Sequence, residues 1–332
     1  MPVPRRRPPG ARTPVAVLVA LLAAALVACG GPPAATAPIA PTSAGTAAFP
    51  VTIEHAFGST TIPSAPHRVV TVGFNEADFA LALGVVPVGV RDFIGEYAEE
   101  SRPWAQEALG GATPEVVGGN ELELEKIAAL QPDVILGVYS FIDRATYERL
   151  SGVAPTVAPP SETVAATWQE QTRLTGRALG LTERAEQVVA DTEARFAAAR
   201  AANPEFAGKT LAAGFVVGGE TYALGTDDLR TQLFSDLGFT LPATSTTLSR
   251  ELLGELDKDV LVVLGESRAA AEADQQLAAL RAVRDGRVAY LGDFSTPFAG
   301  ALGFGSPLSL PYALDIAVPA LRSAVGGTPA SI

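Results

Sequence analysis

The sequence predicts an α/β protein made of two lobes that are joined by a long, rigid helix. Short β-branched runs alternate with helical patterns along most of the chain, which is typical of parallel sheets covered by helices. A continuous helical pattern separates the two halves, and each half shows the same alternation. We therefore expect an N-terminal lobe over 51–161, a linking helical region over 162–203 and a C-terminal lobe over 204–332.

The first 28 residues have the layout of a secretory signal. Four arginines precede an uncharged apolar run over 15–28, which is shorter than the ~20 residues that span a bilayer. The run ends in Leu26-Val27-Ala28-Cys29, which resembles a bacterial lipobox with Cys29, the only cysteine of the chain, as the acylated residue. We expect cleavage before Cys29 and a lipid anchor on the outer face of the cytoplasmic membrane; the alternative is a secretory signal with an incidental cysteine.

The residues after Cys29 are predicted to form a disordered tether over 29–50, because Pro, Ala, Gly and Thr predominate and charge is absent. Removal of residues 1–28 takes away four arginines and no acidic residue, which changes the net charge from −12 to −16. Nucleic acid is therefore an unlikely partner, since phosphate binding needs a basic surface.

The N-terminal lobe is predicted to contain four buried strands and three helices. The strands are 68–73, 86–90, 133–138 and 155–158, and the helices are 75–84, 123–130 and 144–152.

The linking region contains two helical patterns. The first covers 163–180 and is broken at Gly180, and the second begins after Thr182, which is its predicted N-cap. Apolar residues recur at helical spacing along the second pattern, at Ala185, Val188 and Phe196. A helix of this length is about 30 Å long at about 1.5 Å per residue. It therefore resists a large swing of the two lobes.

The C-terminal lobe repeats the alternation. Its predicted strands are 209–218, 259–265 and 287–292, and its predicted helices are 227–238, 249–256 and 309–321. A helix-into-strand segment that begins at Leu124 recurs from Arg250, and this alignment pairs Glu125 with Glu251 and Asp133 with Asp259. The recurrence indicates a duplicated, Rossmann-like lobe.

Several blocks in this order resemble a known family. They include RVVTVGFNEADFALALGVVPVGV, LELEKIAALQPDVILGVYS, WQEQTRLTGRALG and GSPLSLPYALD. The chain resembles the helix-linked substrate-binding lipoproteins of iron–siderophore ABC importers, in particular the members described as ferric-enterobactin-binding-like. The resemblance implies a monomer that holds a ferric siderophore in the cleft between its lobes and delivers it to permease subunits.

Candidate ligand residues follow from the rule that α/β sheets bind ligands at the carboxyl ends of their strands. Arg91 is the predicted charge contact, because a guanidinium pairs with the anionic oxygens of a chelate. The other predicted contacts are mostly aromatic: Phe74, Asn75, Tyr97, Trp104, Tyr139, Tyr222, Phe294, Phe298 and Phe304. The last three are predicted to lie in a Gly- and Pro-rich loop.

The resemblance also implies that one acidic side chain of each lobe docks on the permease. Glu125 matches the N-lobe position. The C-lobe position holds Ser235, so its neighbour Asp236 and the internal-repeat equivalent Glu251 remain two alternatives.

Other functions were weighed against this one. Haem or cobalamin binding within the same fold, and a surface lipoprotein that binds another macromolecule, stay open. A bare-metal site is disfavoured because the two histidines, His55 and His67, form no ligand cluster. A serine hydrolase is disfavoured because no histidine follows Ser267 of the Gly265–Ala269 segment. We therefore expect neither enzymatic activity nor a resident cofactor.

Overall fold

The computed structural model describes residues 49–92 and 102–332, so the predictions for Cys29 and Tyr97 lie outside the described residues. Within those ranges, no helix combines the length and apolar character that a membrane span requires. The predicted fold class is confirmed: two α/β units with largely parallel sheets are connected by a long helix.

The N-terminal lobe is built on a five-stranded parallel sheet in the order β5-β4-β3-β6-β7. Its strands are β3 (Val69–Thr71), β4 (Gly89–Val90), β5 (Glu115–Val116), β6 (Val134–Leu136) and β7 (Thr156–Val157). The helices of this lobe are α1 (Glu76–Ala82), α2 (Gln106–Leu109), α3 (Leu124–Ala129) and α4 (Arg144–Ser151). An antiparallel hairpin that the sequence analysis missed, β1 (Val51–His55) with β2 (Gly58–Ile62), precedes the sheet.

The C-terminal lobe contains a six-stranded mixed sheet in the order β10-β9-β8-β11-β12-β13. Its strands are β8 (Leu211–Val217), β9 (Glu220–Leu224), β10 (Thr246–Leu248), β11 (Val260–Leu264), β12 (Val288–Tyr290) and β13 (Ala330–Ser331). The antiparallel strands β9 and β10 were not predicted. Gly218 and Gly219 have φ of 59° and 82°, so they supply the two left-handed residues of a tight turn between β8 and β9.

The helices of the C-terminal lobe are α7 (Gln232–Asp236), α8 (Arg268–Ala273), α9 (Gln275–Ala278), α10 (Arg281–Arg284), α11 (Pro297–Phe304) and α12 (Ser309–Val325). Helix α7 is shorter than the predicted helix over 227–238, and α8, α9 and α10 were not predicted. The predicted loop after β12 was wrong, because Pro297–Phe304 is helical, with Thr296 as its N-cap and Gly305 in the left-handed conformation at its end. The segment Arg250–Leu256 forms a 3₁₀ helix rather than an α-helix.

The linking region contains α5 (Trp168–Leu179) and α6 (Thr182–Ala202). Helix α5 begins later than predicted because Thr167 and Glu170 form a capping box that defines its first turn. Helix α6 begins at Thr182 itself, so Leu181 takes the N-cap place that the sequence analysis assigned to Thr182.

The internal repeat has a structural counterpart in both lobes. The carboxylate of Asp133 accepts hydrogen bonds from the backbone nitrogens of His67 and Arg68, just before β3. Asp259 accepts hydrogen bonds from the backbone nitrogen and hydroxyl of Thr210, just before β8. Asp133 therefore joins the start of β6 to that of β3, and Asp259 joins the start of β11 to that of β8. These hydrogen bonds lower the pKa of both carboxyls.

The lobes also share a continuous apolar core. Phe79 and Trp104 of the N-terminal lobe, Trp168 of α5 and Phe298 of α11 belong to one buried cluster. Trp168 is 2% exposed within this cluster. The lobes are thus held by direct packing as well as by the linking helix.

Candidate ligand-binding cleft

An open cleft of about 720 Å³ lies between the two lobes. The N-terminal lobe contributes residues 138–143, the C-terminal lobe contributes residues 227–230 and Gly303, and residues 161–165 form the side that precedes α5. The N-terminal side follows β6, and the other side follows β9. The cleft therefore lies between the lobes, as expected, but of the predicted contacts within the described residues only Tyr139 lines it.

Aromatic side chains form the N-terminal wall. Phe141 is 71% exposed and has a left-handed backbone with φ of 52°, a conformation that is rare for a bulky residue. Its ring lies 4.8 Å from that of Tyr139 and 6.1 Å from that of Phe74, between ring centres. The backbone strain at Phe141 accompanies a ring that is held at the surface of the cleft.

A buried carboxyl lies beneath this wall. Glu76, at the start of α1, is fully buried and accepts a hydrogen bond from the backbone nitrogen of Tyr139. Burial raises the pKa of Glu76 from 4.5 to about 7, although hydrogen bonds and the charge of Arg91 oppose the shift. Gly73 is required beside it, because a Cβ at this position would lie 1.6 Å from Oε2 of Glu76.

The C-terminal wall presents an arginine that the sequence analysis missed. Nε and Nη2 of Arg230 donate hydrogen bonds to the two carboxylate oxygens of Asp228, at 2.9 and 2.6 Å. The side chain of Arg230 is 30% exposed, and its Cζ lies 4.1 Å from the ring centre of Phe215. Arg230 is therefore a fixed cation at the cleft surface. The sequence analysis placed Arg230 in a predicted helix over 227–238 and did not predict the strand β9 before it, so no sequence signal marked this arginine.

Arg91, the predicted charge contact, occupies a different environment. It is 7% exposed, and its guanidinium donates hydrogen bonds to the carbonyls of Val72, Gly119, Asn120 and Ser140. Its Cζ also lies 3.9 Å from the ring centre of Phe74. We therefore reassign Arg91 to holding the loops that follow the strands, since most of its donors are used within the protein.

Trp104 lies in a buried polar cluster rather than at the cleft surface. Its Nε1 donates to Asp78 at 2.8 Å, and the hydroxyl of Ser306 donates to the same carboxylate at 2.7 Å. Nη1 of Arg102 lies 3.6 Å from the other oxygen of Asp78. Since Ser306 belongs to the C-terminal lobe, this cluster ties the two lobes together beneath the cleft.

The remaining predicted contacts divide between the cleft and the core. Tyr139 lines the cleft, and Asn75 is buried next to it, with its side-chain amide donating to the carbonyl of Phe304 at 3.0 Å. Phe298 and Phe304 are each 1% exposed because α11 turns both rings into the shared core. These two aromatics are therefore reassigned to packing.

Phe294 and Tyr222 belong to an aromatic group around Phe215. Phe294 is 43% exposed and meets the Phe215 ring edge-on at 5.3 Å. Tyr222 lies within β9, rather than in a loop, and its hydroxyl donates to Glu220. Because Arg230 lies over the same Phe215 ring, this group backs the C-terminal wall.

The candidate docking acids differ in exposure. Glu125 and Glu251 are both exposed, and each is the second residue of its helix, α3 or the 3₁₀ helix Arg250–Leu256. Asp236, at the end of α7, is partly buried, and burial raises its pKa to about 6. In exposure and in helix position, Glu251 therefore matches Glu125 better than Asp236 does.

The residues considered for a metal site and for a serine hydrolase have structural roles. His55 is buried and its Nε2 is hydrogen-bonded to Thr60 Oγ1. The Ser267 hydroxyl caps α8 by accepting a hydrogen bond from the backbone nitrogen of Ala270. Across residues 49–92 and 102–332, no group of three or more His, Cys, Asp or Glu could hold a metal ion.

Comparison with known proteins agrees with this architecture. The model of the periplasmic binding protein family matches residues 69–293. A probable siderophore-binding lipoprotein of Bacillus subtilis, YfiY, is 29% identical over 227 residues, which are 63% of this chain and 67% of that protein.

Two solved structures have the same fold over nearly their whole length. A periplasmic solute binding protein of Mycobacterium smegmatis is 35% identical, with a TM-score of 0.76 over 83% of this chain and 99% of that one. PiaA of Streptococcus pneumoniae in complex with ferrichrome is 27% identical, with a TM-score of 0.74 over 84% and 99%. With its two lobes, its linking helix and its family match, the chain belongs to the periplasmic binding protein family, whose members are substrate-binding transport proteins.

Proposed function

We propose that the protein is the substrate-binding component of an ABC importer and that it captures a ferric siderophore in the interlobe cleft. The observation that carries the proposal is the cleft itself, which is open, has a volume of about 720 Å³ and joins exposed aromatic rings of one lobe to a fixed arginine of the other. This volume lies within the range of small-molecule sites, about 300–1,000 Å³.

The chemistry of the walls suits a metal that already has its ligands. Phe141 and Tyr139 offer flat apolar faces, and Arg230 offers hydrogen-bond donors, whereas the acidic side chains on the described walls do not form a group that could hold a metal ion. The protein would then recognise the outer surface of the chelate, with the iron held by the siderophore. The names of YfiY and of the PiaA–ferrichrome complex point to the same class of ligand.

Delivery would use one exposed acid on each lobe. Glu125 and Glu251 occupy equivalent helix positions, so they would meet a pair of basic sites on a permease dimer. Acylation of Cys29 would hold the protein at the membrane, as the lipobox-like sequence indicates. We propose that the protein acts as a monomer.

The test is a binding panel with the purified protein. Ferric siderophores are titrated while tryptophan fluorescence is followed, because Trp104 and Trp168, the two tryptophans of the chain, both lie in the core that the lobes share. We expect saturable quenching with at least one ferric siderophore and little with its iron-free form. Binding of haem or cobalamin, with no ferric siderophore bound, would overturn the proposal.

A further inference from the structure

The charged side chains that line the cleft are mostly acidic. Asp143, Glu162, Asp227 and Asp228 lie on its walls, and Arg230 is the cation among its described lining residues. Asp228 pairs with Arg230, so these two charges largely cancel. The other three carboxylates give the cleft an excess of negative charge.

Two of these carboxylates are fixed in their ionised form. Asp143 caps α4 by accepting a hydrogen bond from the backbone nitrogen of Thr146 at 2.8 Å. Asp227 accepts hydrogen bonds from the backbone nitrogen and hydroxyl of Ser245, at 2.8 and 2.6 Å. Hydrogen bonds from Thr146 and Ser245 lower the pKa of the two carboxyls, so both are charged at neutral pH.

Nearby cations do not reverse this balance. The guanidinium of Arg91 is buried and donates to four backbone carbonyls. Arg144 lies at the rim, where it donates to the carbonyl of Phe57 at 3.2 Å. Residues 93–101, outside the described ranges, contain no lysine or arginine in their sequence. Even with Arg144 included, acids outnumber cations around the cleft.

We propose that the cleft selects ferric chelates without net negative charge, namely uncharged or cationic hydroxamates, over catecholates and citrates. The inference rests on the proposed function and names its substrate class. Each hydroxamate group carries a single negative charge, so three of them balance the ferric ion. Each catecholate carries two, so a tris-catecholate complex stays strongly anionic. The exposed carboxylates of the cleft walls repel such a complex, most strongly at low salt.

The rest of the wall suits an uncharged chelate. Phe141 and Val164 are 71% and 69% exposed, so they offer apolar surface to the methylene linkers of a hydroxamate. The pairing of Arg230 with Asp228 uses Nε and Nη2, so the hydrogens of Nη1 are not used by Asp228. In this arrangement Arg230 donates to a hydroxamate oxygen without adding net charge to the wall.

The test compares probes that differ in charge. Ferrichrome (uncharged), ferrioxamine B (cationic), ferric enterobactin (anionic) and ferric citrate are titrated into the purified full chain at low and high salt. We expect the two hydroxamates to bind at least about 100-fold more tightly than ferric enterobactin at low salt, and the difference to shrink at about 1 M salt. Tighter or equal binding of an anionic chelate would overturn this inference and leave the proposed function standing. Failure of every ferric siderophore to bind would overturn the proposed function itself.

A matched pair of variants tests the wall directly. Glu162 lines the cleft, whereas Glu205, an exposed acid of the 3₁₀ turn Pro204–Phe206, does not. The double variant Glu162→Gln/Asp227→Asn is expected to strengthen binding of ferric enterobactin by about tenfold at low salt and to change ferrichrome binding by much less, because only the anionic chelate gains from the removal of negative charge. Glu205→Gln is the control. An equal response to the double variant and to Glu205→Gln would contradict the inference.

Discussion

The guanidinium of Arg230 lies over the ring of Phe215, with 4.1 Å between Cζ and the ring centre, while Asp228 holds two of its nitrogens. The cation is therefore restrained on two sides before any ligand arrives. A restrained donor loses less conformational entropy on binding than a mobile one, so Arg230 is well placed to recognise a ligand.

Replacement of Arg230 tests its role in the cleft. Arg230→Ala is expected to weaken binding of a ferric hydroxamate by about 10- to 100-fold, because a charge-assisted hydrogen bond contributes about 1.5–3 kcal/mol. Arg230→Lys should recover only part of the loss, since an ammonium cannot form the same fork with Asp228. Isothermal titration calorimetry measures both. Arg268→Ala is the matched control, because Arg268 also lies over an aromatic ring, that of Tyr290, but does not line the cleft; equal losses would refute the assignment.

The buried ion pair of Asp78 and Arg102 in the N-terminal lobe should control stability. Asp78→Asn removes the carboxylate that Arg102 faces at 3.6 Å, with both side chains almost fully buried. Breaking such a pair costs roughly 3–5 kcal/mol in the free energy of unfolding. Urea unfolding measures this loss. Glu186→Gln breaks the exposed pair with Arg173 and should cost less than about 1 kcal/mol. A similar small loss in both variants would show that the buried ion pair contributes no more to the free energy of unfolding than a surface ion pair does.

Glu76 predicts a pH dependence of stability. Folding raises its pKa from 4.5 to about 7, so between these values the folded state binds more protons than the unfolded state. The free energy of unfolding therefore falls as the pH rises from 4.5 to 7 and is constant with respect to this group above that range. Glu76→Gln imitates the protonated carboxyl, so it should gain roughly 2–3 kcal/mol relative to the parent protein between pH 5 and pH 8. Urea unfolding at the two pH values checks this.

The comparison with Glu76→Gln separates this effect from that of Asp236. Burial also raises the pKa of Asp236, to about 6. Its effect on the free energy of unfolding has the same sign in the parent protein and in Glu76→Gln. A constant difference in unfolding free energy between the parent and Glu76→Gln across this pH range would contradict the assignment to Glu76.

Docking on the permease separates the two candidate acids of the C-terminal lobe. Glu125→Ala and Glu251→Ala should each lower siderophore uptake by cells about fivefold or more, with ligand affinity unchanged, because both acids are exposed at equivalent helix positions. Asp236→Asn should have little effect on uptake. Labelled-iron uptake and calorimetry measure the two properties, and Glu205→Ala is the surface control. A larger defect for Asp236→Asn than for Glu251→Ala would reverse the choice.

Ligand binding should cause only a small closure of the lobes. Asn75 donates to the carbonyl of Phe304, and Ser306 donates to Asp78, so hydrogen bonds cross between the lobes beneath the cleft. The 21-residue helix α6 also connects the two lobes. Small-angle scattering with and without ferric siderophore should give nearly equal radii of gyration. A decrease of several ångström would show a hinge motion instead.

The sequence by itself determined the class of fold and its symmetry. Buried strands and helices were readable because their apolar spacing has a fixed period, and the pairing of Asp133 with Asp259 was visible because both lobes use the same hydrogen bond to start a central strand. The missed elements include one hairpin in each lobe: β1–β2 is short and half polar, and β9 follows β8 after a turn of two glycines that the sequence analysis did not identify.

The tertiary structure alone decided which polar and aromatic side chains reach the cleft. Arg91 and Arg230 each follow a strand, yet carbonyls of neighbouring loops surround the first, and the second lies on an open wall. Phe141 and Phe304 are both aromatic residues beyond strands, but a left-handed backbone exposes one and helix α11 buries the other. Local patterns record the period of a strand or helix, whereas exposure depends on contacts between residues far apart in the chain, which no short stretch of sequence contains.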